Sequence, residues 1–266
     1  MKLRSIRELL WRRLGVIVAI AVLGAFTIVT AQDEVSLPQN VTIAGSIQSV
    51  LGCASDWMPE CDTTSLVYDA EDDVWQGGFD LPAGEYEYKA ALNGSWDENY
   101  GAGATLGGDN IPLIIESART VQFFYDHKTH WVTDDVNSVI LVAVGDFQSS
   151  VGCAMDFDPT CLRTWMQDED ANGIYSFVSE SIPVGDYNVR VALNQSDDVV
   201  YGAGGVLDGE ALGFSVPTVG FRTTIGFSPS RNLLNVRVID PSEASVPVIL
   251  PTSVPDTTPV EGLVVT

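Results

Sequence analysis

Five residues in the first half of the chain have types and spacing that suit the binding of a neutral sugar. Trp57 and Trp96 stand in turn-rich, polar stretches where a core tryptophan is unexpected. An indole ring offers a large, rigid surface to the C–H face of a pyranose. Lys89, Asn93 and Asn99 lie close by in the sequence, and their amine and amide groups suit sugar hydroxyls. We therefore predict that these five side chains form a carbohydrate-binding site.

A structural role competes with ligand binding at several of these positions. Trp57 is equally consistent with packing over a neighbouring disulfide. Trp96 lies in a loop of Asn, Gly, Ser, Asp and Glu, and such a loop has little with which to bury it. Asn93 recurs as Asn194 in a second copy of the surrounding sequence. That recurrence fits a shared turn as well as a ligand contact, so both alternatives stay open.

Other candidate sites are weaker. Residues 168–173 match the first half of a calcium loop, but Ser179 stands where the final glutamate ligand belongs. We therefore predict a tight Asn-Gly turn there. His127 and His130 lack a third ligand or an obvious nucleophile, and we predict a solvated turn. The sequence predicts no catalytic residue, no metal site and no cofactor.

The sequence repeats itself with an offset of 100 to 101 residues. The matching segments are 45–49 with 145–149, 52–56 with 152–156, 82–86 with 183–187, 91–93 with 192–194, and 100–103 with 201–204. Unrelated segments would not keep this register. We infer a tandem duplication of a unit of about one hundred residues, which is a common domain size.

Each copy is predicted to be an all-β domain. Short runs of β-branched and aromatic residues alternate with turn formers, and after residue 35 no segment sustains a helical apolar period. This pattern predicts two tandem immunoglobulin-like β-sandwich domains. We call residues 41–134 module 1 and residues 135–240 module 2. Residues 32–40 are expected to form a linker, and residues 241–266 a tail rich in proline, threonine and valine.

The four cysteines repeat with the modules, as Cys53 and Cys61 and again as Cys153 and Cys161. In an exported chain, an even number of cysteines at a repeated spacing predicts one short-loop disulfide per module. Zinc binding is the alternative, but each pair lacks nearby histidine ligands and the spacing of a zinc finger.

The N-terminus carries the signs of export. Basic residues precede an uncharged, largely apolar run over residues 14–32, and small residues stand at Val29 and Ala31. This is the pattern of a secretory signal peptide over residues 1–31. The run is also long enough for an uncleaved membrane anchor. Either alternative places the rest of the chain outside the cytoplasm, at the cell surface or beyond it.

The charge of the chain argues against several classes of partner. The net charge is −23, whereas nucleic-acid binding is driven by Lys and Arg that release counterions from phosphates. The same excess of carboxylates disfavours anionic lipids and sulfated polymers. We therefore predict no nucleic-acid partner.

The long motifs resemble the X25 module of bacterial pullulanases and related amylolytic enzymes. The resemblance rests on residues 45–61, 88–101 and 125–131. It covers nearly all of module 1 and, more loosely, module 2. The same segments are similar to the starch-binding domains of SusE- and SusF-type outer-membrane proteins. The resemblance implies a non-catalytic β-sandwich associated with α-glucan breakdown. It also implies Trp57 and Trp96 as ligand contacts together with Lys89.

The two copies differ at these positions. Phe157, Asp197 and Val200 replace, in that order, Trp57, Trp96 and Asn99. Framework residues persist, so module 2 is interpreted as a spacer or a degraded site. The sequence thus predicts an exported protein that binds α-glucan polysaccharide or maltooligosaccharide through module 1, with an amylolytic enzyme as a further partner. The alternative is a structural spacer pair without a ligand, a remnant of or accessory to a pullulanase-type enzyme.

Overall fold

Module 1 is built from short antiparallel strands. A computed structural model describes residues 36–242. The strands of module 1 are β1 (Val41–Gly45), β2 (Ser65–Asp69), β3 (Val74–Leu81), β4 (Gly84–Leu92), β5 (Asn99–Tyr100), β6 (Ile111–Ile115), β7 (Arg119–Asp126) and β8 (Trp131–Asp134). They form one sheet in the order β5-β4-β1-β2-β3-β7-β8, and β6 adds to β4.

Module 2 repeats this order of strands but divides them between two sheets. Its strands are β9 (Leu141–Gly145), β10 (Trp165–Met166), β11 (Tyr175–Ser179), β12 (Gly185–Leu193), β13 (Ser196–Tyr201), β14 (Leu212–Val216), β15 (Arg222–Ser228) and β16 (Leu233–Ile239). One sheet has the order β10-β9-β12-β13, with β14 on β12, and the other has the order β11-β15-β16.

These strands confirm the prediction of two tandem, all-β sandwich domains. Over residues 36–242 the only helical elements are five 3₁₀ turns of three or four residues. Each module buries its own hydrophobic core. In module 1, the rings of Tyr88 and Phe123 meet edge to face with centroids 5.0 Å apart, and both side chains are fully buried. In module 2, Phe147 and Phe227 are equally buried.

A third apolar cluster joins the modules, which lie in one compact unit beginning at Leu37. Its members from module 1 are Val74, Phe124 and the partly buried Trp131, and those from module 2 are Ile140, Val142, Val144, Leu162, Trp165, Ala192 and Val200. The rings of Phe124 and Trp165 have centroids 5.9 Å apart. Because the side chain of Phe124 is 3% exposed, this contact removes a large apolar surface from water.

Polar contacts surround the apolar cluster. Arg163 of module 2 donates to the main-chain oxygens of Glu71 and Ala70, each at 2.7 Å. The backbone N–H of Leu162 donates to Asp72 at 2.9 Å. Every one of these bonds fixes module 2 against the turn between β2 and β3. The contacts therefore define a specific orientation of the two modules.

Several predictions concern parts of the chain beyond the described residues. The signal peptide or anchor over residues 1–31 lies outside them, as does the tail after residue 242. The stretch 36–40 has no regular secondary structure. A search of residues 36–242 finds no helix that combines the length and hydropathy needed to cross a membrane.

Candidate functional site

A buried glutamine organises the loop that carries Trp57. Gln48 is fully buried, and its Oε1 accepts from the backbone N–H of Met58 at 2.7 Å. Its Nε2 donates to the Met58 carbonyl at 2.8 Å and to Thr64 Oγ1 at 3.0 Å. The side chain thus satisfies main-chain groups in the middle of the loop, as a buried polar side chain must.

A disulfide closes the same loop. Cys53 and Cys61 are bonded, as are Cys153 and Cys161, so the predicted disulfide in each module is confirmed. Trp57 lies midway between the first two cysteines and has a left-handed backbone with φ of 62°. That conformation is costly for a bulky residue. The disulfide and the bonds of Gln48 together provide the constraint that holds it.

Trp96 projects from the connection between β4 and β5. Asn93 and Gly94 both have positive φ, which is the requirement of a two-residue type I′ turn. The chain then bulges at Trp96. The amide of Asn99 donates to the Trp96 carbonyl at 2.9 Å, and Asp97 N–H donates to Ser95 Oγ at 3.1 Å. These bonds shape the bulge.

The two tryptophans meet. Their ring centroids are 6.3 Å apart and their planes are inclined by 40°. Trp96 is 38% exposed, and Trp57 is half-buried. The disulfide loop and the β4–β5 connection, remote in sequence, thus combine into one angled aromatic surface that solvent reaches.

Lys89 is on the same side of the sheet as this surface. Its neighbours Tyr88 and Ala90 point into the core, so Lys89 points outward because side chains alternate along a strand. It stands opposite Ala44 on β1. The next residue of β1, Gly45, accepts the backbone N–H of Trp57 at 3.4 Å. This register brings Lys89 beside the Trp57 loop.

The two asparagines have structural duties. Asn93 Oδ1 accepts the backbone N–H of Gln39 at 2.7 Å. In module 2, Asn194 Oδ1 accepts the backbone N–H of Ile140 at 3.2 Å in the same way. These matching hydrogen bonds support the interpretation that Asn93 stabilises a turn shared by both modules. The amide of Asn99 donates to the Trp96 carbonyl and so stabilises the loop that carries Trp96.

The histidines do not form the solvated turn that we predicted from their sequence context. His127 is buried, and its Nδ1 lies 3.0 Å from the Tyr125 hydroxyl. His130 stacks on Tyr100 with centroids 4.0 Å apart. The prediction failed because two tyrosines from the ends of β5 and β7 cover the turn. Burial and the neighbouring His127 lower the pKa of His130, and burial together with Glu98 raises the pKa of Tyr100 to about 12.

The calcium-like segment uses its carboxylates internally. Asp168 accepts the backbone N–H groups of Asn172 and Gly173, each at 3.0 Å, and Asn172 accepts that of Ile174 at 2.8 Å. Within residues 36–242, no group of three or more His, Cys, Asp or Glu side chains is arranged to hold a metal ion.

Module 2 differs from module 1 at the positions that correspond to the candidate site. Phe157 repeats the left-handed conformation of Trp57, with φ of 55°, and is 45% exposed. Asp197 takes the place of Trp96 and lies in β13, whose pairing with β12 shifts its register between Ala192 and Leu193. Val200 packs in the cluster between the modules. The replacement of Asn99 by Val200 therefore serves this interface.

Comparison with known families decides the classification. The pullulanase X25 domain family matches residues 40–132 and 140–231, which together exceed half of the chain. The chain belongs to this family. Its two X25 modules confirm the resemblance noted in the sequence.

Curated relatives share only the X25 module. One is an amylopullulanase of Thermoanaerobacterium thermosulfurigenes, 35% identical over 98 residues, which are 37% of this chain and 5% of that protein. Another is an amylopullulanase of Thermoanaerobacterium saccharolyticum, 39% identical over 88 residues, or 33% and 7% of the two chains. The chain therefore spans a small fraction of the relatives it matches. A solved pullulanase from Bacillus acidopullulyticus covers 76% of this chain, and 28% of its own length is matched, at 18% identity and a TM-score of 0.34. That likeness is too weak to carry an argument.

Sequence reasoning missed the buried glutamines. Gln148 repeats every contact of Gln48, to Gly145, to both main-chain groups of Asp158 and to Thr164. The signal was available, because Gln48 and Gln148 occupy the same position in the repeated segments 45–49 and 145–149. A polar residue kept in both copies beside a disulfide loop indicates a structural hydrogen-bonding role.

Proposed function

We propose that this protein is an exported, non-catalytic α-glucan-binding protein whose site is in module 1. The observation that carries the proposal is the contact between Trp57 and Trp96, with ring centroids 6.3 Å apart and planes inclined by 40°. Two indoles at such an angle present apolar faces to two successive sugar rings of a curved chain. In this proposal Lys89 donates hydrogen bonds to hydroxyl groups at the side of the rings.

The choice of α-glucan rests on the relatives. Two proteins that share the X25 module are amylopullulanases, so starch, glycogen, pullulan and maltooligosaccharides are the first ligands to examine. The protein would hold such a substrate near a surface or near an amylolytic enzyme. Catalysis is not part of the proposal, because the matches to these enzymes cover the X25 module alone.

Calorimetric titration of the whole oxidised chain with maltoheptaose and with β-cyclodextrin tests this function. We expect a dissociation constant between about 1 μM and 1 mM, and Trp96→Ala should abolish the binding heat. Phe157→Ala, at the matching loop of module 2, is the control and should leave binding unchanged. Because the contacts are to a neutral ligand, raising the salt concentration should change the affinity little. A folded protein that gives no heat with either sugar would refute the proposal.

A second function is supported by the contacts between the modules. The apolar cluster around Phe124 and Trp165 and the bonds of Arg163 fix the two modules in one orientation. A fixed pair of this kind suits a rigid spacer that binds no sugar. The same titration separates the two functions.

A further inference from the structure

A groove of about 380 Å³ begins at Trp57 and runs along the outward face of β4 and β6. We call it the β4–β6 groove. The residues used in the argument are Ser46, Trp57, Glu85, Glu87, Pro112 and Ile114. Trp57 therefore contributes to two surfaces, since it also contacts Trp96. The groove and the aromatic pair are continuous through this one side chain.

The register of the two strands gives the groove a regular lining. Glu87 stands opposite Pro112, and Glu85 stands opposite Ile114. Each pair places a carboxylate beside an apolar side chain. Glu85, Glu87 and Lys89 share one face of β4 and are spaced about 7 Å apart along it. This row leads from the tryptophans to the far end of β4.

The lining suits a sugar. A pyranose has an apolar C–H face and a rim of hydroxyl groups. The side chain of Ile114 is 61% exposed and can contact C–H groups. A carboxylate only accepts hydrogen bonds and has about four acceptor positions. The amide of Asn110 donates to Glu87 Oε2 at 2.8 Å and so orients that carboxylate.

The corresponding strip of module 2 is closed by its own side chains. Asp146 accepts from both the backbone N–H and the amide of Asn188, at 2.7 and 2.9 Å. Ser215 donates to Asp186. By strand register, Ser215 takes the place of Ile114, and Gly213 the place of Pro112. Module 2 thus lacks the apolar strip and directs its carboxylates inward to protein donors.

We propose that the β4–β6 groove is a second part of the glucan site, in which the chain continues past Trp57. Pro112 and Ile114 contact the C–H faces of the added sugar units, and Glu85 and Glu87 accept hydrogen bonds from their hydroxyl groups. The inference rests on the proposed function. It adds that the protein prefers long α-glucan chains to short ones, because a short ligand covers the aromatic pair alone.

Titrations of the whole chain with maltotriose and maltoheptaose test the groove. We expect the native protein to bind maltoheptaose more tightly. Glu85→Ala combined with Glu87→Ala should weaken maltoheptaose binding about tenfold and leave maltotriose binding unchanged. Ile114→Ser should lower the affinity in the same selective way. These surface changes leave the core intact, and Asp186→Ala in module 2 is the matched control without effect.

Three results would overturn the proposal. Equal affinity of the native protein for both ligands would refute the role of the groove in binding, and the proposed function of the aromatic pair would remain. Groove variants that keep full maltoheptaose affinity, or that weaken both ligands equally, would do the same. Absence of binding to either ligand would refute the function and the groove together.

Discussion

The two modules use the same outward sheet face in different ways. In module 2 this face is apolar and packs against Phe124 of module 1. Its residues there are Val142, Val144, Ala192 and Val200. The corresponding residues of module 1 are small or polar, and they are Thr42, Ala44, Ala91 and Asn99. One copy of the duplicated domain has therefore turned the face into an interface between protein modules, while in the other the loops that follow β1 and β4 carry Trp57 and Trp96.

The disulfide loops of the two modules show the same division between an aromatic surface in module 1 and an interface in module 2. In module 1 the loop presents Trp57 toward Trp96. In module 2 the residues just after the loop, Leu162 and Arg163, bond to the β2–β3 turn of module 1. The loop scaffold is nearly identical, since Gln48 and Gln148 make the same contacts. A duplicated scaffold can thus change its role through a few exposed positions while its internal hydrogen bonds stay fixed.

We expect the largest effect on stability from a substitution that disrupts the interface between the two modules. Phe124→Ala removes a side chain that is 3% exposed and packs on Trp165. The change should lower the free energy of unfolding by about 3–5 kcal/mol. We expect a cooperative thermal transition to divide into two, one per module. Differential scanning calorimetry measures both.

Gln122→Ala is the control for this variant, because Gln122 lies on the same strand and is exposed. It should change the stability by less than about 0.5 kcal/mol. If Phe124→Ala cost no more than the control, the packing between the modules would not stabilise the chain.

Removing the disulfides separates the roles of the two loops. Replacing either cysteine pair by serine should lower the stability by about 2–3 kcal/mol, as expected for a short closed loop. Loss of Cys53 and Cys61 should also weaken glucan binding, because Trp57 is freed. Loss of Cys153 and Cys161 should leave it intact. Denaturant unfolding and calorimetric titration of both variants check this. Equal loss of binding in the two variants would contradict the division of roles.

The buried glutamines give a smaller effect. Gln48→Ala leaves main-chain groups at Met58 without their partner, which costs about 1–3 kcal/mol. Gln148→Ala should cost a similar amount, since its contacts match. Only Gln48→Ala should reduce sugar affinity. Urea unfolding and titration compare the pair, and a loss of affinity in Gln148→Ala would show that the site depends on both modules.

Much of this architecture could be predicted from the sequence, because it depends on local patterns. Strand-forming runs, turn residues and the cysteine repeat indicate the fold without reference to distant contacts. Trp96 could be assigned to an exposed loop from its polar neighbours, whereas the sequence left the exposure of Trp57 open. The role of Val200 could not, because it depends on which face of module 2 meets module 1. The stacking of His130 on Tyr100 was missed for a similar reason, since Tyr100 reaches it from another strand.

The smallest effect that we expect is a pH dependence of stability caused by His130 of module 1, whose counterpart in module 2 does not titrate. The lowered pKa of His130, caused by burial and by His127, means that the folded state binds its proton less readily than the unfolded state does. The free energy of unfolding should therefore carry no penalty from His130 above the unfolded-state pKa of about 6.5. It should fall as the pH drops below that value. At the equivalent left-handed position, module 2 has Asn232, with φ of 47° against 61° for His130.

His130→Asn copies module 2 and keeps a residue type that tolerates this backbone. Urea unfolding of both proteins between pH 7.5 and pH 5 measures the difference. We expect the native chain to lose more stability over this range than the variant, because only the native chain has to protonate an imidazole stacked on Tyr100. Identical slopes would show that His130 does not cause the pH dependence.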